Sequence, residues 1–117
     1  MEIDKYAAID IGSNAVRMLI TNVIKIEGSV YFRKNSLIRV PIRLGEDSFT
    51  SGEISKKNKN RLIDSIKAFK LLMEVHNVKN YLAYATSALR EATNGQKVVK
   101  EIKKKSDISI ELIDGAK

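Results

Sequence analysis

Apolar residues change their spacing along the chain, and the spacing in the first 40 residues predicts three strands. Residues 5–11 form a short, nearly continuous apolar run, which is typical of a strand covered on both faces. Residues 16–26 alternate loosely and are rich in branched side chains, so they are predicted to form a second strand. The sequence EGS at 27–29 has glycine at its centre and predicts a hairpin turn into a third strand at 30–40.

The middle of the chain changes to helical spacing after a polar segment. Pro41 and the polar sequence GEDSFTSGE predict a loop of about a dozen residues. Ser55 is a suitable N-cap for a long helix that ends near His76. Three- and four-residue spacing gives this helix one apolar stripe, formed by Leu62, Ile66, Phe69 and Met73.

The remaining residues predict alternating strands and helices. Strands are expected at 80–86 and 108–113, with the short helical turn SALREA and a helix at about 95–105 between them. Asn94 is a suitable cap for that helix. The predicted fold class is therefore α/β, with a mixed five-stranded sheet in the order βββαβαβ and helices packed on it. Because there is no internal repeat or linker, residues 1–117 are predicted to form a single domain.

Composition limits the partners and the chemistry. The net charge of +7 favours anionic partners such as phosphates, polyphosphate, nucleic acid or anionic lipid, although a solvated surface explains any one lysine. The lysine-rich segments contain no interleaved aromatic residues, which argues against single-stranded nucleic acid. The absence of cysteine excludes disulfides, thiolate metal sites and a cysteine nucleophile. With no signal peptide and no apolar run approaching about 18 residues, we expect a cytoplasmic protein with no membrane partner.

The first candidate site is the turn in YAAIDIGSNAVRMLI, where polar residues interrupt an apolar run. Gly12 would let the backbone N–H groups of Ser13 and Asn14 converge on an anion, and both side chains add donors. Asp10 would repel phosphate unless a cation or an attacking water lies between them. An ordinary hairpin also explains these residues, because glycine, serine and asparagine are common in turns.

The second candidate site is YATSALREATN, which leaves a strand and enters a short helix. Thr86 and Ser87 lie where N–H groups at a helix start are unpaired, and Arg90 can add a bidentate contact to phosphate. Alternatively, Ser87 caps the helix and Arg90 pairs with Glu91 or Glu53. Because both candidate sites follow strands that are predicted to be central, we expect them to face one cleft.

These two motifs together resemble the exopolyphosphatase / guanosine pentaphosphate phosphohydrolase family. That family belongs to the superfamily of actin, sugar kinases and heat-shock chaperone ATPases, which implies a ribonuclease H-like (actin-like ATPase) domain. The segments AAIDIGSNAVRMLI and ATSALREATN carry the resemblance, which extends over RLGEDSF and the terminal IELIDG. Ala15 stands where the family's turn motif usually has a second serine, which removes one hydroxyl donor.

The resemblance implies hydrolysis, with Mg²⁺, of the terminal phosphoanhydride of polyphosphate or of the 5′ phosphate of guanosine pentaphosphate. By this resemblance Asp10 would lie near the metal or the nucleophilic water. Arg43, in the predicted loop, is a weaker candidate for a polyanion contact. The residues expected to contact phosphate are Gly12, Ser13, Asn14, Thr86 and Arg90.

The family's catalytic glutamate is expected a few residues after the terminal IELIDG, and no acidic residue follows Gly115. Glu111 lies inside the last predicted strand and Asp114 precedes the turn, so neither is expected to replace that glutamate. We therefore expect an N-terminal domain cut from a longer protein, inactive alone, whose partners are its missing C-terminal half and, in the full-length protein, a second copy. Two alternatives stay open: an ATP-dependent phosphotransferase or ATPase of the superfamily, and a non-catalytic polyanion-binding module.

Overall fold

The computed structural model describes residues 1–113, so residues 114–117, and Asp114 with them, lie outside the described part. Five strands and four helices are formed by these residues. In chain order they are β1 (Glu2–Ile11), β2 (Val16–Ile26), β3 (Ser29–Val40), α1 (Leu44–Thr50), α2 (Lys56–Val75), β4 (Asn80–Ala85), α3 (Ser87–Glu91), α4 (Gly95–Ser106) and β5 (Glu111–Leu112).

The strands form one mixed sheet in the order β3-β2-β1-β4-β5. The pairs β1–β2 and β2–β3 are antiparallel, whereas β4 runs parallel to both β1 and β5. This arrangement confirms the predicted α/β fold with an antiparallel meander at one edge. The parallel pairing of β1 with β4 is what brings the two candidate sites to the same edge of the sheet.

The core lies on one face of the sheet. In β1 the buried residues alternate, with Ala7, Ile9 and Ile11 buried while Ala8 and Asp10 between them are only half-buried. The prediction that this strand is covered on both faces is therefore wrong within residues 1–113. Ala8 makes the apolar run in the sequence look continuous, but it does not have to be buried. Its side chain is small, so exposing it to water costs little free energy.

The long helix α2 agrees with its predicted bounds and stripe. The side chain of Ser55 accepts a hydrogen bond from the Asn58 amide at 3.2 Å, and His76 ends the helix. The four stripe residues are buried against the sheet: Leu62, Ile66, Phe69 and Met73. No helix within residues 1–113 is long and apolar enough to cross a lipid bilayer.

The segment predicted as a loop contains the helix α1. Ile42 and Leu44 are fully buried and anchor its start in the core. Glu46 and Asp47 lie in its first turn, where acidic side chains interact favourably with the helix dipole. The glycine, aspartate and serine that indicated a loop are thus residues of a short helix that tertiary contacts hold in place.

Two other details differ from the predictions. Asn94 does not cap α4 with its side chain; it accepts a hydrogen bond from the Ile54 amide at 2.8 Å and donates one to the Ile54 carbonyl at 2.9 Å. The strand β5 pairs only at its end, because the amide of Ser109 donates to the Tyr81 hydroxyl at 3.2 Å rather than to a β4 carbonyl. In both places a side chain takes the hydrogen bond that a regular backbone pattern would have used.

Candidate phosphate-binding site

The loops after β1 and β4 meet at one edge of the sheet. Ile11 and Ala85, the last residues of these parallel strands, lie opposite each other in the register. Beyond them, the hydroxyl oxygens of Ser13 and Ser87 are 3.3 Å apart, and the Thr86 amide donates to the Ile11 carbonyl at 3.3 Å. The expectation that the two motifs share one edge is confirmed by these contacts.

The first loop presents backbone donors. Its turn is closed by the Gly12 amide, which donates to the Ala15 carbonyl at 3.0 Å, and a Cβ atom on Gly12 would lie 3.2 Å from that same oxygen. Glycine at position 12 therefore permits a close approach without displacement, and its φ is not left-handed. Within residues 1–113, no acceptor is hydrogen-bonded to the amides of Ser13 and Asn14. Two neighbouring N–H groups of this kind can bind an anion.

Arg90 lies one helical turn after the second loop, since its amide donates to the Thr86 carbonyl at 3.1 Å. Its guanidinium donates to the Ile113 carbonyl at 3.2 Å and pairs with Glu91 at 3.4 Å. The pairing with Glu91 matches the alternative that the sequence left open. The contacts of Arg90 place the guanidinium beside the end of β5, and its contact with phosphate stays a prediction.

Asp10 lies on the uncovered face of the sheet, where its carboxylate pairs with Arg17 at 2.7 Å. Within residues 1–113, no group of three or more histidine, aspartate or glutamate side chains is placed to hold a metal ion. Mg²⁺ commonly binds through one or two carboxylates while phosphates and waters complete its octahedron. Asp10 fits that mode as a single carboxylate, so a magnesium site here would need ligands from the substrate.

Arg43, the weaker candidate for a polyanion contact, directly precedes α1. Its guanidinium is exposed and pairs with Glu46 at 3.1 Å. Exposed pairs of this kind contribute little to stability and leave the guanidinium accessible to other anions. Its contact with a polyanion stays a prediction.

The sequence reasoning missed that α1 supports both loops. The Gly45 amide donates to the Ser13 carbonyl at 2.9 Å, and the Ser48 hydroxyl donates to the Ala88 carbonyl at 2.7 Å. A Cβ atom on Gly45 would lie 3.1 Å from the Cβ of Ser13, so only glycine permits this approach without displacement. The glycine of RLGEDSF is the sequence feature that indicates this close contact, but the polar composition around it predicts a loop.

Asp47 connects α1 to the start of α2. Its half-buried carboxylate accepts hydrogen bonds from the Ser55 amide (3.0 Å), the Ser55 hydroxyl (3.0 Å) and the Asn58 side chain (2.9 Å). Burial disfavours the charged form, but these hydrogen bonds outweigh it and hold the pKa of the Asp47 carboxyl below its ordinary value of 3.8. The ionised carboxylate therefore fixes α1, and with it the two loops.

We expect Asp47→Ala to lower the free energy of unfolding by about 1 kcal/mol at neutral pH, because three hydrogen bonds to a charged but partly solvated group are lost. A pKa that is lower in the folded state contributes stability that is fully present above the unfolded value and is lost as pH falls through the folded one. Urea unfolding at a series of pH values should therefore show the gap between wild type and variant closing below pH 3.8.

Glu46→Ala is the matched control, because Glu46 is the neighbouring acidic residue of the same helical turn but makes only the exposed pair with Arg43. Its unfolding free energy should stay within about 0.5 kcal/mol of wild type. A gap for Asp47→Ala that is unchanged well below pH 3.8 would contradict the role assigned to the ionised carboxylate.

Comparison with known proteins agrees with this geometry. The profile of the Ppx/GppA phosphatase family matches residues 25–117. A bifunctional 3-dehydroquinate synthase/phosphatase of Fusobacterium nucleatum is 32% identical over 98% of this chain and 19% of its own length. Exopolyphosphatase 1 of Mycobacterium bovis is 26% identical over 95% of this chain and 31% of its own length. The chain thus spans a third or less of these relatives.

Solved structures match the fold over nearly all of the chain. The crystal structure of the Aquifex aeolicus member of the Ppx/GppA family superposes with a TM-score of 0.88 at 25% identity, covering 97% of this chain and 36% of that one. An exopolyphosphatase from Cytophaga hutchinsonii gives a TM-score of 0.83 at 30% identity, covering 97% of this chain and 35% of that one. The chain belongs to the Ppx/GppA phosphatase family.

Proposed function

We propose that this chain is the N-terminal phosphate-binding domain of a phosphohydrolase that removes the terminal phosphate of polyphosphate. The observation that carries the proposal is the contact between the Ser13 and Ser87 hydroxyls, which joins the two loops beside the amides of Ser13 and Asn14, for which residues 1–113 provide no acceptor. Relatives named exopolyphosphatase support polyphosphate as the substrate. The same donors also suit the 5′ phosphate of guanosine pentaphosphate, which is the second candidate substrate.

Phosphoryl transfer needs positioning and charge stabilisation more than covalent chemistry from the protein. The amides of Ser13 and Asn14 would donate to the oxygens of the terminal phosphate and orient it for in-line attack by water. Arg90 would neutralise charge that develops as the anhydride bond breaks. When bound, Mg²⁺ would supply further charge neutralisation at the phosphate oxygens, and Asp10 is the residue that would hold it.

A carboxylate that orients the attacking water completes such a site, and we assign that role to none of the described residues 1–113. Asp10 is the residue assigned to Mg²⁺, and Glu111 is exposed on the edge strand β5. We therefore propose that residues 1–117 bind phosphate without hydrolysing it, and that the remainder of the full-length protein supplies the missing carboxylate.

Phosphate release by the full-length protein tests the proposal, with polyphosphate, guanosine pentaphosphate and ATP compared side by side. We expect release from polyphosphate or guanosine pentaphosphate, and Arg90→Ala should lower kcat/KM about 100-fold because one charged phosphate contact is lost. Arg33→Ala is the matched control, since Arg33 is an exposed arginine on β3. Its kcat/KM should be unchanged.

The same assay discriminates the alternatives. Preferential hydrolysis of ATP would favour a phosphotransferase or ATPase of the superfamily. Binding of polyphosphate without release from any of the three substrates would favour a non-catalytic module and contradict the proposed function. Equal losses for Arg90→Ala and Arg33→Ala would contradict the role of Arg90 at the site.

A further inference from the structure

The positive charge of the chain is concentrated on two helices. Of the 21 lysines and arginines, 11 lie on α2 and α4, together with only three of the 14 acidic residues. These helices therefore carry a net charge of +8, while the rest of the chain is close to neutral. A field of one sign over a single surface attracts anions and raises their local concentration.

Between the C-terminal halves of these helices lies a groove, which we call the lysine groove. Glu101 pairs with Lys59 of α2 at 3.4 Å, which joins the two helices, and with Lys105 of its own helix at 3.3 Å. The cavity has a volume of about 350 Å³ and is lined by four lysines and two acids: Lys67, Lys70, Lys104, Lys105, Glu74 and Asp107. More positive than negative groups thus face a space that could hold several phosphate groups.

The acidic residues leave part of this charge unneutralised. Lys70 pairs with Asp107 at 3.7 Å, at the limit of an ion pair. No carboxylate of residues 1–113 lies within 4 Å of Lys67 or Lys104. Lysines gathered at one groove repel one another, and an anion between them relieves that repulsion.

The groove lies along the direction in which a chain leaving the phosphate-binding loops could run. Both helices begin at the edge of the sheet that carries these loops, because Asn94 before α4 is bonded to Ile54 before α2. From Lys56 to Lys70, α2 rises about 21 Å away from that edge. Exposed lysines, Lys97 and Lys100 among them, lie on α4 between its start near the loops and the lysine groove.

The chemistry of the lining favours inorganic polyphosphate over nucleic acid. Among residues 1–113, the lining of the groove includes Leu71 as its apolar side chain and has no aromatic side chain on which a base could stack. Lysine is a flexible point charge that binds phosphate without demanding one geometry, which suits a chain of identical anionic units. A polymer that is bound at one site has a high effective concentration at a second site nearby, so a chain that occupies both sites binds more tightly than one that occupies a single site.

We propose that the lysine groove is a second binding site for inorganic polyphosphate, which holds the interior of a long chain while its end lies at the loops after β1 and β4. The inference rests on the proposed function. It predicts that the groove contributes much to the affinity for long polyphosphate, which can occupy both sites at once, and little to the affinity for tripolyphosphate, which can occupy only one site at a time.

The proposed second site is tested by measuring equilibrium binding of two ligands, polyphosphate of about 100 units and tripolyphosphate, and comparing their affinities. We expect the double variant Lys67→Glu/Lys104→Glu to weaken long-chain binding about tenfold or more and to weaken tripolyphosphate binding by less than about threefold. Arg33→Glu/Lys34→Glu is the matched control, because both residues are exposed on β3 and the change in net charge is the same. Near-ultraviolet circular dichroism confirms that each variant is folded.

An equal loss in the control would show general attraction by net charge and overturn the proposal. Single-stranded DNA that binds as tightly, with the same dependence on Lys67 and Lys104, would assign the groove to nucleic acid instead. Undetectable binding of long polyphosphate by wild type would also overturn it. Because this assay measures binding, a groove that loses long-chain affinity as expected stands even if the full-length protein releases no phosphate.

Discussion

Gly95→Ala is expected to lower the free energy of unfolding by about 3 kcal/mol or more, which is a large share of the stability of a domain of this size. A Cβ atom on Gly95 would overlap the carbonyl oxygen of Leu89 and lie 3.1 Å from its carbonyl carbon. Leu89 cannot move away easily, because its side chain is fully buried and anchors α3 in the core. The start of α4 would have to shift, and the contact of Asn94 with Ile54 would be strained with it.

Helix propensity predicts the opposite sign for this substitution, since alanine is favoured over glycine inside a helix by about 1 kcal/mol. The sign of the measured change in urea unfolding therefore decides between local preference and tertiary packing. Gln96→Ala is the matched control, because Gln96 is the exposed neighbour on the same helix and should change stability by less than about 0.5 kcal/mol. A stabilised Gly95→Ala protein would show that α3 and α4 are not packed this closely.

Gly45→Val is expected to lower kcat/KM for phosphate release by the full-length protein about 100-fold in a protein that still folds. The Cβ of valine would lie 3.1 Å from the Cβ of Ser13, and its two methyl groups would press further on the loop. The amides of Ser13 and Asn14 would be displaced from their positions. A displacement of about 1 Å in a positioning group can cost about 100-fold in rate.

Phe49→Val is the matched control for this prediction, because Phe49 lies on the same helix α1 and its side chain faces solvent. Gly45→Ala should give an intermediate loss, since its single methyl group requires a smaller movement of Ser13. Thermal unfolding measured alongside should show a loss of about 1–3 kcal/mol, because Gly45 is buried and the added methyl groups overpack its contact with Ser13. Full activity of Gly45→Val would mean that α1 does not position the phosphate-binding loop.

The order of the strands along the chain and the meeting of the two loops could be predicted because they depend on local patterns and on general rules of topology. Two antiparallel turns make β3 run in the same direction as β1, and the helical crossover from β3 to β4 gives β4 that direction too. Once β1 and β4 are parallel neighbours, the residues after Ile11 and Ala85 must lie at one edge. The proximity of Ser13 and Ser87 follows from that topology.

Helix α1 and the role of Asn94 could not be predicted in this way. Residues 44–50 have turn-forming composition, and the segment is helical because Ile42 and Leu44 are buried and Asp47 is bonded to α2. Asn94 follows a local rule for capping, yet the backbone of Ile54, 40 residues earlier in the chain, offers it two hydrogen bonds. Local preferences are weak beside such contacts.

The sequence by itself determined the α/β class, the order of the strands along the chain, the stripe of α2 and the two motifs that indicate phosphate, because periodicity and turn chemistry act between near neighbours. Only the tertiary structure decided that one face of the sheet is covered within residues 1–113, that Gly45 touches Ser13, and that the lysines of α2 and α4 line one groove. These features join residues far apart in the chain, and packing alone brings them together.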